Sequence, residues 1–275
     1  MPVLIANRKS QIAKLILLIS IFALLTSHLS GTLAQTLTSK KAQEDYLFQF
    51  GKTQESHEKY VVARSSYLTF KTAISKNEAF LKTKDYLLSI DQLLLTYVDL
   101  VKEQSILFDW TGSEKDRDET IKNLTDEAVF YKNHQQKINA AQTLEELPPL
   151  AQEIKIRKEK VTLPLVYKSL ATYEAAAAQS ATFEFKQLAQ QLEDLTSLKL
   201  KLAENASFYA NWTSEIQNIA TNASSANQEA KEILTNKPPG SINEGDLTNI
   251  MRSVKKTQTE LERSKLLFEE IRGLL

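Results

Sequence analysis

The chain has 275 residues, with 34 basic and 34 acidic side chains, no cysteine and only six glycines. The missing cysteine excludes disulfides, thiol catalysis, zinc–thiolate sites and a lipoprotein anchor. Balanced charge gives no electrostatic footprint for nucleic acid or anionic lipid, and so few glycines leave little for loops that cradle phosphates.

The N-terminus reads as an export address. Arg8, Lys9 and Lys14 form a positive region with no acid before Glu44, followed by the apolar run Leu15 to Leu25, and Thr32-Leu33-Ala34 suits a cleavage site. This predicts a signal peptide over 1–34 and a secreted, periplasmic or otherwise extracytoplasmic mature domain over 35–275. Without the three leader bases the mature chain carries 31 bases against 34 acids, a net charge of −3. The alternative is an uncleaved anchor through residues 12–29, but a span needs roughly 20 apolar residues, and this stretch includes Lys14 and four polar side chains.

After residue 40, apolar residues recur at helical spacing almost throughout. A first helix is predicted over about 39–75, with Tyr46, Phe50, Tyr60, Val61, Tyr67, Leu68 and Ile74 on one face. A second, over about 77–109, has the widest apolar arc, including Leu87, Leu94, Leu95, Val98 and Val101, and should be the most buried. Gly112 suits the position after a helix end, and Ser113 with Asp116 resembles a capping pair. A third helix, over about 114–142, carries Ile121, Leu124, Ala128, Tyr131 and Ile138.

Thr143 and Glu146 repeat the capping spacing, and Pro148-Pro149 suit a first turn. The stripe from Leu150 through Ile154, Val161 and Leu165 crosses Pro164, which should kink a helix or end it. From about 166 to 236 the pattern runs as one long element with a bend or fray among the asparagines of 205–227, and Ala175 to Ala178 permit close packing. Pro238-Pro239-Gly240 ends it. A last helix over about 246–272 presents Leu247, Ile250, Val254, Leu261, Phe268 and Ile271 as a near-heptad seam, expected to close against the preceding helix.

The expected fold class is therefore all-α: an elongated antiparallel helical bundle, or helical hairpins, with coiled-coil-like seams. The domain over 35–275 would divide, if at all, into subregions 39–142 and 143–275. Tyr-Leu recurs at 46, 67 and 86, too little to define a repeat.

Candidate chemistry is thin. The mature chain's histidines, His57 on the stripe of the first helix and His134 on the flank of the third, stand in no Glu-x-x-His or His-x-x-x-His spacing and read as structural. Asp116, Asp118, Thr120 and Glu127 mimic a calcium loop, but Ile121 occupies the position that needs glycine, and an acidic first helical turn explains the same letters. Lys155 to Lys160 reads as a solvated face, and Glu145-Glu146 as helix-start capping. Sequons at Asn123, Asn205, Asn211 and Asn222 would carry glycans only in a eukaryotic host. Nucleophile elbows, dinucleotide fingerprints and Walker loops do not occur.

No catalytic residue, cofactor-binding residue or metal ligand is expected, and the sequence names no ligand-binding residue. The leading expectation is an exported, non-enzymatic helical-bundle protein that serves as an envelope scaffold or protein-interaction module. Its partner would be another protein, not nucleic acid, with membrane contact only through an uncleaved N-terminus and a monomer favoured over an oligomer. The alternative is an extracytoplasmic small-ligand or sensor module, with Trp110, Trp212 or Tyr209 lining a pocket between helices.

Overall fold

A computed structural model describes residues 33–107, 114–200, 206–238 and 240–274; the side chains of 33–38, 114, 192, 195–200, 206–209 and 265–274 are left aside. The chain divides into two compact units, Met1–Thr38 and Ser39–Leu275. Of the first, only the opening turns of a helix are described, so the signal-peptide reading lies outside the described residues, as do Trp110, Gly112, Ser113 and Asn205. Among the described residues there is no strand, and no helix is long and apolar enough to cross a membrane. The second unit is an all-α helical bundle.

Helix α1 spans Leu33–Phe70 and α2 spans Ala73–Leu107. The joint is set by two residues. Lys71 takes a left-handed φ of 51°, the position after a helix where glycine is usual. Thr72 then accepts the Ser75 N–H at 3.2 Å while the Ser75 hydroxyl accepts the Thr72 N–H at 3.1 Å, a reciprocal cap that starts α2. This corrects the predicted first helix of 39–75: α1 stops at Phe70, and Ile74 sits in the first turn of α2 with 82% of its surface exposed. Val61 and Leu68, assigned by periodicity to the buried stripe, also face solvent.

α1 lies antiparallel to α2 through ring contacts, Tyr46 to Tyr97 at 5.5 Å between centroids and Tyr60 stacked on Tyr86 at 5.2 Å. Thr53 Oγ1 and Gln49 Nε2 both donate to the Ser89 carbonyl, at 2.9 and 3.2 Å. α2 is deeply buried, as its apolar arc predicts, with Leu87, Leu94, Leu95, Val98, Leu100 and Val101 in the core.

Helix α3 (Glu114–Ala140) packs antiparallel on α2, and Leu124, Ala128, Tyr131 and Ile138 point inward. Thr143 and Glu146 cooperate as their spacing suggests, with a different pattern of bonds. The Thr143 hydroxyl donates to the Glu146 carboxylate at 2.7 Å, and that carboxylate accepts the Gln142 N–H at 3.1 Å around a short 3-10 turn, Leu144–Glu146. Helix α4 (Leu147–Arg157) follows, with prolines in its first turn.

Pro164 neither ends the helix nor breaks it. One π turn, Lys158–Thr162, joins α4 to α5 (Leu163–Leu200), and its wider hydrogen-bond register lets the helical path pass the missing proline N–H. The predicted single element over 166–236 is two helices. α6 (Ala206–Asn236) packs back against α5 because Phe185 of α5 meets Trp212, Ile216 and Ile219 of α6 in one buried cluster. Asn211, Asn218, Asn222 and Asn227 all lie within α6, so the helix continues where a bend was expected. α7 (Glu244–Leu274) begins at a reciprocal Asn243–Asp246 cap with bonds of 3.0 and 3.1 Å. It closes on α5 and α6 through Leu247, Ile250 and Val254, the internal hairpin its seam predicts.

Candidate functional site

Three features of the fold can carry chemistry or recognition. The first is a buried polar cluster where α2, α3, α4 and the π turn meet. Glu127 of α3 is almost wholly buried and is gripped by Arg157 at the end of α4, whose Nε lies 2.9 Å from one carboxylate oxygen and 3.2 Å from the other. Tyr131 donates to Thr162 Oγ1 at 2.5 Å, and the Thr162 hydroxyl donates in turn to Glu127 Oε1 at 2.6 Å. Thr162 reaches this position because the π turn rotates it inward. Burial, the largest cause, pushes the Tyr131 hydroxyl well above the ordinary tyrosine value.

One turn along α3, His134 Nδ1 bonds Asp91 Oδ2 of α2 at 2.7 Å, with both side chains fully buried. Its Nε2 lies 3.7 Å from Glu153 of α4, a carboxylate that Lys137 holds at 2.7 Å. Phe130 stacks on the imidazole at 5.8 Å and carries the Arg157 guanidinium 4.4 Å from its own centroid, which joins the two halves of the cluster. Asp91 is raised above the usual carboxylate value, chiefly by desolvation and against the pull of His134.

The second feature is a groove of about 420 Å³ between α1 and the α2–α3 pair, lined by Gln49, Lys52, Ser56, Lys59, Gln92 and Gln135. Most of these polar groups already have partners: Lys59 bonds Glu55 at 2.6 Å, Gln135 bonds Gln92 at 3.1 Å, and Lys52 lies over the Phe48 ring at 5.1 Å.

The third is the outer side of α1 and the tip of its hairpin with α2. Phe48, Val62 and Phe70 are 66%, 71% and 68% exposed, and Leu47, Val61, Leu68 and Ile74 extend the apolar surface around them. α1 buries Tyr46 and Ala63 while Phe48, Val62 and Phe70 stand exposed, interspersed along the helix with charged residues such as Lys52, Glu55 and Lys59.

The sequence-derived candidates scatter. His57 joins a ring cluster with Tyr60 and Tyr86, at 6.2 and 5.0 Å. His134 is no flank residue but the centre of a buried cluster; the turn-by-turn pattern of α3 cannot show that Asp91 and Glu153 close on it from other helices. The calcium-like residues lie along helix α3, where Glu127 turns to Arg157 and Glu119 reaches Lys168 at 3.3 Å. Arg157 departs from the solvated face expected of the basic run by entering the buried pair. Glu145 is paired with Lys76 at 2.6 Å, a bond that lowers its pKa. Trp212 packs in the core against Phe185 and Ile216, and the side chain of Tyr209 lies outside the described residues. Among the described residues, no group of three or more acidic or histidine side chains is arranged to hold a metal ion.

Comparison with protein families, curated proteins and solved structures returns no match.

Proposed function

We propose that this chain is an exported, non-enzymatic helical-bundle protein that works as a scaffold or docking module in the cell envelope. The observation that supports this reading is the apolar outer side of α1. Phe48, Val62 and Phe70 together with their neighbours expose more large apolar surface than a solvated helix needs, on a helix whose opposite side is already packed. The leader-like N-terminus supports export, and exposed large apolar side chains are denser on α1 than on α5, where Phe183 and Leu188 are exposed.

The test compares the wild-type chain with a Phe48→Ser/Val62→Glu double variant as bait in native envelope extracts. A partner retained by the wild type and lost by the variant, with the variant's helical circular dichroism and melting unchanged, supports docking through α1. Identical capture by both baits would remove α1 as the docking side.

A second reading, a small-ligand or sensor module, draws on the polar groove under Gln49 and Gln135. Small-molecule pockets usually combine apolar walls with a few free polar groups, whereas the polar groups of this groove largely bond one another. We therefore place the scaffold reading first.

A further inference from the structure

His134 stands where three helices meet, and the charged groups around it come from each of them. α2 supplies Asp91 at 2.7 Å; its Lys84, further along, is engaged with the Asn139 and Ala141 carbonyls. α4 supplies Glu153 at 3.7 Å and Arg157. α3 itself adds Lys137, Glu127 and Tyr131. Lys168 of α5 is bound to Glu119, about four turns back along α3. Within the cluster three carboxylates, Asp91, Glu127 and Glu153, face two permanent cations, Lys137 and Arg157. The count balances when the buried Asp91–His134 pair carries one proton more than a neutral imidazole beside an ionised carboxylate.

Two buried atoms of this cluster have no hydrogen-bond partner within the protein, Asp91 Oδ1 and His134 Nε2. In the neutral ring that donates Nδ1–H to Asp91, Nε2 turns a lone pair toward the Glu153 carboxylate, so acceptor faces acceptor. Adding one proton makes Nε2 a donor aimed at an acceptor. Glu153 is about one-third exposed, and its Oε2, the oxygen that faces His134, is not the one Lys137 holds.

We infer that Asp91, His134 and Glu153 form a proton-operated latch, which ties α4 to the α2–α3 hairpin when His134 is doubly protonated and loosens that tie when the proton leaves. Histidine is the side chain whose charge ordinarily changes between about pH 5 and 8, which sets the pH values to compare. The desolvation that raises Asp91 acts in the same direction, because the folded cluster then holds more protons than the unfolded chain. A native state that binds extra protons loses stability as pH rises, here starting above the ordinary Asp value of 3.8.

The experiment is amide hydrogen exchange of the full-length chain at pH 5.5 and 8.5, corrected for intrinsic exchange, alongside ¹⁵N imidazole spectra. Wild-type α4 amides are expected to lose up to about tenfold protection per linked proton and pH unit across the transition, while α6 amides change little. The His134 ring should show both nitrogens protonated at pH 5.5 and one at pH 8.5. Glu153→Gln, which keeps the side-chain shape at a partly exposed site, should abolish the α4 difference without changing the fold. Asp91→Asn should do the same at a larger cost in stability. A His134 ring with the same protonation at both pH values, or a Glu153→Gln chain that keeps the wild-type α4 difference, would overturn the latch. If Asp91→Asn does not fold, Glu153→Gln and the imidazole spectra decide the outcome.

Discussion

The layer built by α2, α3 and α4 and the layer built by α5, α6 and α7 solve the same packing problem with different materials. In the first, buried charges are matched across helices: Glu127 with Arg157, and Asp91 with His134. In the second, alanine and isoleucine fill the interior at Ala223, Ala226, Ala230, Ile216 and Ile219. Its cross-links there are neutral: Asn227 donates to the Thr182 hydroxyl at 2.6 Å and the Ala178 carbonyl at 3.0 Å, and accepts from Thr257 at 3.0 Å. Small residues let backbones approach closely and let short polar side chains reach a neighbour's carbonyl. The charged layer therefore has its geometry specified by directional pairs and depends on pH, whereas the neutral layer rests on shape.

The sharpest way to break this comparison is to remove one member of the buried ion pair. Arg157→Ala leaves Glu127 buried with Thr162 as its remaining partner, and a charge stranded in this way costs about 3–5 kcal/mol. Urea denaturation at pH 7 should show that loss. Replacing Glu127 by Gln in the same chain should recover a large part of it by removing the stranded charge. A loss below about 1 kcal/mol in Arg157→Ala would mean that water already solvates Glu127 and that the first layer is not held by charge.

One residue of the neutral layer departs from its own rule. Glu174 of α5 is buried, and burial alone pushes its carboxyl up to about 7. Because the folded value lies above the unfolded value of 4.5, the stability this group permits is fully present below pH 4.5 and is lost as pH rises through 7. At about 1.36 kcal/mol per pKa unit, the shift corresponds to roughly 3 kcal/mol of destabilisation above neutrality. Glu174→Gln should therefore be more stable than wild type by about 2–3 kcal/mol at pH 8, and nearly equal to it at pH 4. A variant with the same advantage at both pH values would show that the gain comes from packing and not from ionisation.

A smaller effect sharpens the contrast from the other side. Thr257→Val keeps the volume but removes the donor to Asn227, a buried bond worth about 1–2 kcal/mol once the abandoned amide is counted. The loss should be the same at pH 5 and pH 8, since no charged group takes part. A pH-dependent loss would blur the division between the two layers.

Much of this architecture is legible in the residue pattern, and its limits have physical causes. The apolar arc of α2, the seam of α7 and the prolines opening α4 are periodic or local signals, and they place those helices correctly. The end of α1 is not legible, because Lys71 adopts a conformation that the residue type disfavours and only Thr72 and Ser75 across the turn enforce it. The reversal between α5 and α6 is hidden because nothing in the local pattern marks Phe185 and Trp212 as partners across a turn. The charged cluster is hidden for a similar reason. Asp91 and His134 are 43 residues apart, and nothing in either helix marks them as partners. What could have hinted at it is local: an aspartate in the middle of the most apolar arc in the chain must be either paired or misplaced.

The smallest effect concerns the hairpin whose first helix carries the docking proposal. Lys71 holds a left-handed φ of 51°, where a Cβ crowds the backbone and glycine does not. Its amide bonds the Tyr67 carbonyl at 2.9 Å, so the conformation is fixed by the turn and not chosen by the side chain. Lys71→Gly should relieve that strain, offset in part by the greater freedom of glycine in the unfolded chain, for a net gain of about 0.5–1 kcal/mol. The tip geometry, the exposure of Phe70 and Ile74, and capture through α1 should remain as in the wild type. Equilibrium unfolding measures the gain and the bait experiment measures the capture. A more stable chain that loses its partner would show that the lysine side chain itself is read by that partner, which would move the docking surface from the outer side of α1 to the hairpin tip.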